Sequence, residues 1–205
     1  MNKFKLTIFA FIVGMCSFII VFPYISDLIN NYRTLKNPEV VTIKSGEYIV
    51  GDDIQQGIYD VEVISGKVKF MQRELSAKDR VLGVNLHNGE HVQIKGQGKV
   101  KLSPANFESI EMSKSGQYEI HHSGFYEIGL QLPEGEYVLS YKGKTDKEKP
   151  FVQILSSNNR DVLHTYDFHN KDIYKIPLKK GNILEINKFL FFESDDIVIN
   201  LKPLY

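Results

Sequence analysis

Two stretches of this chain align on each other without a gap. The first reads Gly46-Glu47-Tyr48-Ile49-Val50-Gly51-Asp52-Asp53-Ile54-Gln55-Gln56-Gly57-Ile58-Tyr59-Asp60-Val61. The second reads Gly124-Phe125-Tyr126-Glu127-Ile128-Gly129-Leu130-Gln131-Leu132-Pro133-Glu134-Gly135-Glu136-Tyr137-Val138-Leu139. Gly46, Tyr48, Gly51, Gly57 and Tyr59 fall on Gly124, Tyr126, Gly129, Gly135 and Tyr137, while Val50, Ile54 and Val61 meet the like-sized Ile128, Leu132 and Leu139. An offset shared by glycines and tyrosines alike indicates an internal duplication, so one local structure has to be built twice.

Each copy reads as strand, turn, strand. Gly51 lets the backbone bend where a side chain would clash. Gln55-Gln56-Gly57 and Pro133-Glu134-Gly135 have the composition of tight turns, with the glycine at the φ > 0 position and Pro133 presetting φ. After the turn Tyr59, Val61 and Val63 alternate with Asp60, Glu62 and Ile64, the period of a half-buried strand. Tyr137, Leu139 and Tyr141 do the same in the second copy. Aromatic side chains on strands mostly fill cores, so the ten shared glycines and tyrosines read as structural and not as ligand contacts.

The pattern Tyr-x-Val-Gly-x-Asp-Ile-x-x-Gly-x-Tyr from Tyr48 to Tyr59 resembles a short β-module of exported proteins and lipoproteins of Gram-positive bacteria. Gln55 stands where those modules often carry proline, and Gln56 where they often carry a small residue. The second copy keeps Pro133 but shows Gln131-Leu132 in place of the Asp-Ile pair. The resemblance implies a surface β-module and brings no catalytic residues with it.

Residues 6–25 run Leu-Thr-Ile-Phe-Ala-Phe-Ile-Val-Gly-Met-Cys-Ser-Phe-Ile-Ile-Val-Phe-Pro-Tyr-Ile without a charge. About 20 such residues span a bilayer as a helix. Lys3 and Lys5 precede the run and Asp27 follows it, which keeps residues 1–5 in the cytoplasm and sends the remainder outside. A cleaved signal peptide would have a shorter apolar region and a small-x-small site, which neither Phe22-Pro23-Tyr24 nor Tyr24-Ile25-Ser26 offers. A lipid-modified cysteine is the other alternative, but Cys16 follows the bulky Met15 and the apolar run continues past it. An uncleaved anchor is therefore the expectation. Cys16 is the only cysteine, so the translocated part has no disulfide, cysteine nucleophile or thiolate metal site.

Residues 26–41 read as a juxtamembrane linker, in which the membrane helix continues for a turn or two until Asn37-Pro38 stops it. Beyond them turn signals recur: Ser45-Gly46, Gln56-Gly57, Ser65-Gly66, Asn88-Gly89, Lys95-Gly96 and Ser103-Pro104. Between them sit short alternating runs at residues 67–70, 91–94 and 99–102. Residues 74–79 read as a helical turn or loop. Later runs at 151–155, 162–168, 173–178, 183–186 and 197–201 also read as strands, and Lys180-Gly181-Asn182 lines up with Asn88-Gly89-Glu90. The expected fold is mainly β, two tandem antiparallel sandwich or jelly-roll-like modules at 42–112 and 113–205 behind the helix. Modules this small are expected to pack on each other.

The chemistry is sparse. Lys and Arg number 25 against 25 Asp and Glu, which removes the case for a nucleic-acid partner. His121 and His122, with His164 and His169, are the histidine group to test for metal, but neighbours on a strand point to opposite faces, which sets His121 and His122 against sharing one ion, and no zinc spacing occurs. Asp52, Asp53, Glu193, Asp195 and Asp196 lack the spacing of a calcium loop. No nucleophile elbow, metalloprotease helix or phosphate-cradling glycine loop is present, and the chain has no tryptophan for sugar stacking. The expectation is no catalytic, cofactor or metal residue. The partner would be another envelope protein or a cell-wall glycan, with an envelope hydrolase as the enzymatic alternative.

Overall fold

The computed structural model describes residues 38–143, 149–157, 161–188 and 197–204. The expected spanning segment at 6–25 lies outside them, and among the described residues no helix is long and apolar enough to cross a membrane. Residues Pro38–Tyr205 form one compact unit. It is all β and sandwich-like.

The first half contributes β1 (Val41–Ile49), β2 (Gly57–Phe70), β3 (Arg73–Ser76), β4 (Arg80–Leu86) and β5 (His91–Pro104). The second contributes β6 (Tyr118–Ile120), β7 (Ser123–Glu127), β8 (Gly135–Lys142) and β9 (Phe151–Leu155). It continues with β10 (Val162–Asp167), β11 (Tyr174–Leu178), β12 (Ile183–Asn187) and β13 (Val198–Pro203). One sheet runs β1-β5-β2-β4-β7-β12-β9-β10 with β3 beside β2, and the other runs β11-β8-β13-β6.

The second half repeats the pairing of the first. In the first half, residues 46–49 of β1 pair with 91–94 of β5, residues 94–97 of β5 pair with 67–70 of β2, and β3 lies on the far side of β2. In the second, β7, β12, β9 and β10 follow the same order. Residues 41–44, 99–104 and 57–63 with β4 likewise match β6, β13, β8 and β11. The registers agree too: Tyr48 faces Val92 as Tyr126 faces Leu184, and Tyr59 faces Pro104 as Tyr137 faces Pro203.

Long strands replace several expected short ones. Ser65-Gly66 and Lys95-Gly96 read as turns, yet they lie inside β2 and β5. Gly66 sits opposite Gly98, where a Cβ would run into the Gln97 carbonyl, so glycine here lets two bending strands cross closely and does not end them. Residues 74–79 also differ, since β3 pairs with β2 before the chain turns.

Alternation buries one side of each strand. Val92, Ile94, Val100 and Leu102 of β5 point inward, while Gln93, Lys95 and Lys99 are exposed. The buried residues form two separate clusters, one per half. Each buried Val or Leu contributes about 1.5–3 kcal/mol against exposure.

The halves meet at one parallel ladder, Val81 with Ser123 and Leu82 with Gly124, in a fold otherwise paired antiparallel between strands. The buried Asp60 carboxylate accepts the Gly83 amide at 3.0 Å and the Asn106 amide at 3.2 Å, holding β4 in the bulge that allows this approach. Gly83 has φ +67, and a Cβ there would meet the Phe125 carbonyl; a Cβ on Gly124 would meet Leu82 backbone. Leu82 then packs on the second core and Phe125 on the first. Arg73 and Glu185 add a partly buried ion pair at 3.4 Å between the halves. This junction is made once. At the matching positions β8 has Val138 instead of Asp60 and β1 has Glu47 instead of Phe125, and the β8–β11 ladder has no bulge.

Equivalent glycines therefore carry different constraints. Gly124→Val should lower the melting temperature of residues 38–205 by the equivalent of roughly 1–3 kcal/mol, through strain at φ +150 and the clash with Leu82. Gly46→Val, whose Cβ would touch only the ring of Tyr48, should melt close to the parent. Thermal melts compare the two, and an equal effect at both sites would contradict this account of the junction.

Candidate functional site

The repeated motif closes each half on itself. Gly51 and Gly129 adopt φ of 103 and 94, conformations that side chains resist, and each donates its amide across the turn, to Ile54 and Leu132, at 2.7 Å. The Asp-Ile and Gln-Leu difference between the copies preserves one bond. Asp53 Oδ2 accepts the Ile49 amide at 2.8 Å, and Gln131 Oε1 accepts the Glu127 amide at 3.0 Å. Gly89 and Gly181 reach the carbonyls of Val50 and Ile128 at 2.8 and 2.9 Å. Gly57 and Gly135 have the expected positive φ, 155 and 153, but they open β2 and β8 instead of sitting within the turn.

The four motif tyrosines follow one rule that sequence reading missed. Each hydroxyl donates to the carbonyl four residues earlier: Tyr48 to Lys44 at 3.1 Å, Tyr59 to Gln55 at 2.8 Å, Tyr126 to His122 at 2.7 Å and Tyr137 to Pro133 at 2.9 Å. The rings of Tyr59, Tyr126 and Tyr137 are buried and that of Tyr48 is half-buried. The spacing of four was visible in the sequence as Lys44-Tyr48 and Gln55-Tyr59, but nothing local marks a carbonyl as the acceptor. A second aromatic group joins Tyr141, Tyr166, Phe168 and Tyr174 edge to face, with interplanar angles of 62–82°. Tyr166 and Phe168 are buried in this group, and Tyr141 and Tyr174 are half-buried at its edge.

The histidines stay apart in role. His121 and His122 lie between β6 and β7, with the Lys188 ammonium donating to the His121 carbonyl. His169 Nδ1 lies 2.9 Å from Asp167 Oδ1, and hydrogen bonds from His169, its backbone amide first, hold the Asp167 carboxyl below its ordinary range. Among the described residues no three His, Cys, Asp or Glu side chains are grouped to hold a metal ion. Asp52 is exposed, and Glu193, Asp195 and Asp196 fall outside the described residues.

The structure adds a place that no motif marked. An open cleft of about 570 Å³ on the first half is lined by Lys69, Lys95, His91, Gln93, Met71, Gln72, Val92 and the carboxylate-bearing Glu90. Met71 and Gln72 form the β2–β3 turn with φ of 46 and 66, and non-glycine residues hold that conformation only at a cost. His91 faces Glu47 at 3.3 Å on its rim. Comparisons of the chain with protein-family models, with curated proteins and with solved structures return no match.

The tyrosine anchors can be titrated. Burial first, and then the negative charge of Glu39, raise the Tyr59 hydroxyl above its ordinary value of 10.0. The folded state thus favours the protonated phenol, so the stability it contributes is present below pH 10 and is lost as pH rises through the higher folded value. Tyr59→Phe removes the bond to Gln55 and should cost about 0.5–1.5 kcal/mol at neutral pH. It should also flatten the alkaline fall in stability. Denaturant melts of parent and variant between neutral and strongly alkaline pH measure both effects, and parallel pH curves would contradict the assignment.

Proposed function

We propose that this chain is a single-pass membrane protein whose extracytoplasmic part is two copies of one β-module, serving non-catalytic binding or scaffolding at the cell envelope. Residues 6–25 are the spanning helix, 26–41 the linker, and 42–112 and 113–205 the modules. What supports the anchor is the uncharged apolar run behind Lys3 and Lys5.

The single observation that carries the binding reading is the repetition itself. The same tyrosines and glycines close both halves through the same bonds onto their own backbone. The motif is thus occupied in building a scaffold, and recognition falls to surfaces where the halves differ. The partner class is another envelope protein or a cell-wall glycan.

Protease added to intact protoplasts should digest residues 38–205 while a fragment holding residues 6–25 stays with the membrane. Protection of the β region until the membrane is broken would overturn the orientation and with it the envelope role.

A further inference from the structure

We propose that the outward face of β5 and its neighbours β1 and β2 is a binding surface for an extended polyanion. Six lysines share this face: Lys95, Lys99 and Lys101 along β5, Lys44 on β1, and Lys67 and Lys69 on β2. All are exposed except the half-buried Lys101, and among the described residues none is in an ion pair. They form a band about 20 Å long, from Lys95 to Lys101, and about 10 Å wide across three strands.

Two features show that the fold does not ask for these charges. Lys44 lies directly opposite Lys99, and Lys69 directly opposite Lys95. Like charges placed so across strands destabilise a sheet. The second half then supplies an internal control, because its registers place Asn187 where β5 has Lys95, Val198 for Lys99, Asn200 for Lys101 and Phe151 for Lys69. There Asn187 and Phe151 form a neutral pair in place of Lys95 and Lys69, and Val198 and Asn200 stand opposite Lys142 and Glu119, so no two like charges face each other at these positions. Where lysine faces lysine, at Lys44–Lys99 and Lys69–Lys95, the charges work against the stability of the first half, and a bound polyanion would reverse that sign by placing negative charge between them.

The neighbours favour a hydrated polymer over a bilayer. Interleaved with the lysines are Gln93, Gln97, Ser65 and Thr42, which donate hydrogen bonds to phosphate, carboxylate or hydroxyl oxygens. The exposed apolar side chains nearby are scattered singly, Val40 ahead of β1, Ile64 at the bulge and Met71 at the hairpin tip beside the cleft. Glu62 and Glu74 lie opposite Lys101 and Lys69 at the margins, so the positive region is a band and not a broad field. The open cleft between Lys69, Lys95 and His91 continues the band at one end.

This inference rests on reading the chain as a binding module, but its test is separate from membrane orientation. Residues 38–205 carry both cores and every described strand, so they serve as the sample. The probe is inorganic polyphosphate, titrated by fluorescence anisotropy at rising salt, beside vesicles of anionic and of zwitterionic lipid. The parent should bind polyphosphate with an affinity that falls steeply with salt, as counterion release requires. The triple exchange Lys95→Asn, Lys99→Val, Lys101→Asn borrows the second half's residues. It should still unfold cooperatively and lose roughly tenfold or more in affinity. Unchanged polyphosphate affinity in that variant, or none in the parent, would overturn the proposal. So would tighter binding to anionic vesicles that the same exchange abolishes, since the face would then be a membrane-docking surface.

Discussion

Two strands from different halves of the fold can share backbone hydrogen bonds only where no side chain stands between them. That constraint is met where Leu82 and Gly83 pass beside Gly124 and Phe125, and the arrangement of the whole unit follows from it. Asp60 draws β4 into its bulge by binding the Gly83 amide, which turns Leu82 toward the second core while Phe125 covers the first. Each half alone is near the lower limit of size for stability without cross-links. Exchanging one apolar side chain in each direction joins two small cores into one unit without merging them.

Within each half the closing interactions are short and local. A turn glycine, a side chain accepting the amide of the preceding strand, and two tyrosine hydroxyls bonded four residues back leave little of the motif free to recognise anything. The same bonds tolerate a change of chemistry, as Asp53 and Gln131 show by filling one role with a carboxylate and an amide. Outward positions are under no such obligation. There the halves diverge most, lysine in one and Asn, Val or Phe in the other.

Much of this was legible in the chain. The equivalence of Gly46 to Tyr59 with Gly124 to Tyr137 is an arithmetic property of the sequence, and the registers of the two halves follow it closely. Strand continuity was not legible, because Gly66 and Gly96 carry the same local signal whether a chain turns back or two strands cross closely while bending. The parallel junction was also hidden. It depends on Asp60 reaching a backbone amide far along the chain, and Gly83 inside an apolar run was the only trace of it. The lysine band escaped notice because alternate lysines on a strand look like an ordinary solvated face until the partner strands are known.

Backbone hydrogen exchange tests the central claim, that both halves are closed by the same bonds, most directly. The amides of Val50, Gly51, Gly89 and Ala105 donate to Glu90, Ile54, Val50 and Ile58, and those of Ile128, Gly129, Gly181 and Leu204 donate to Asn182, Leu132, Ile128 and Glu136. Exchange followed residue by residue in residues 38–205 should show all eight protected, pair by matching pair, although several lie in turns where free amides exchange quickly. Protection in the first set with free exchange in the second would mean that the halves share a sequence pattern but not a closure, and would contradict the account.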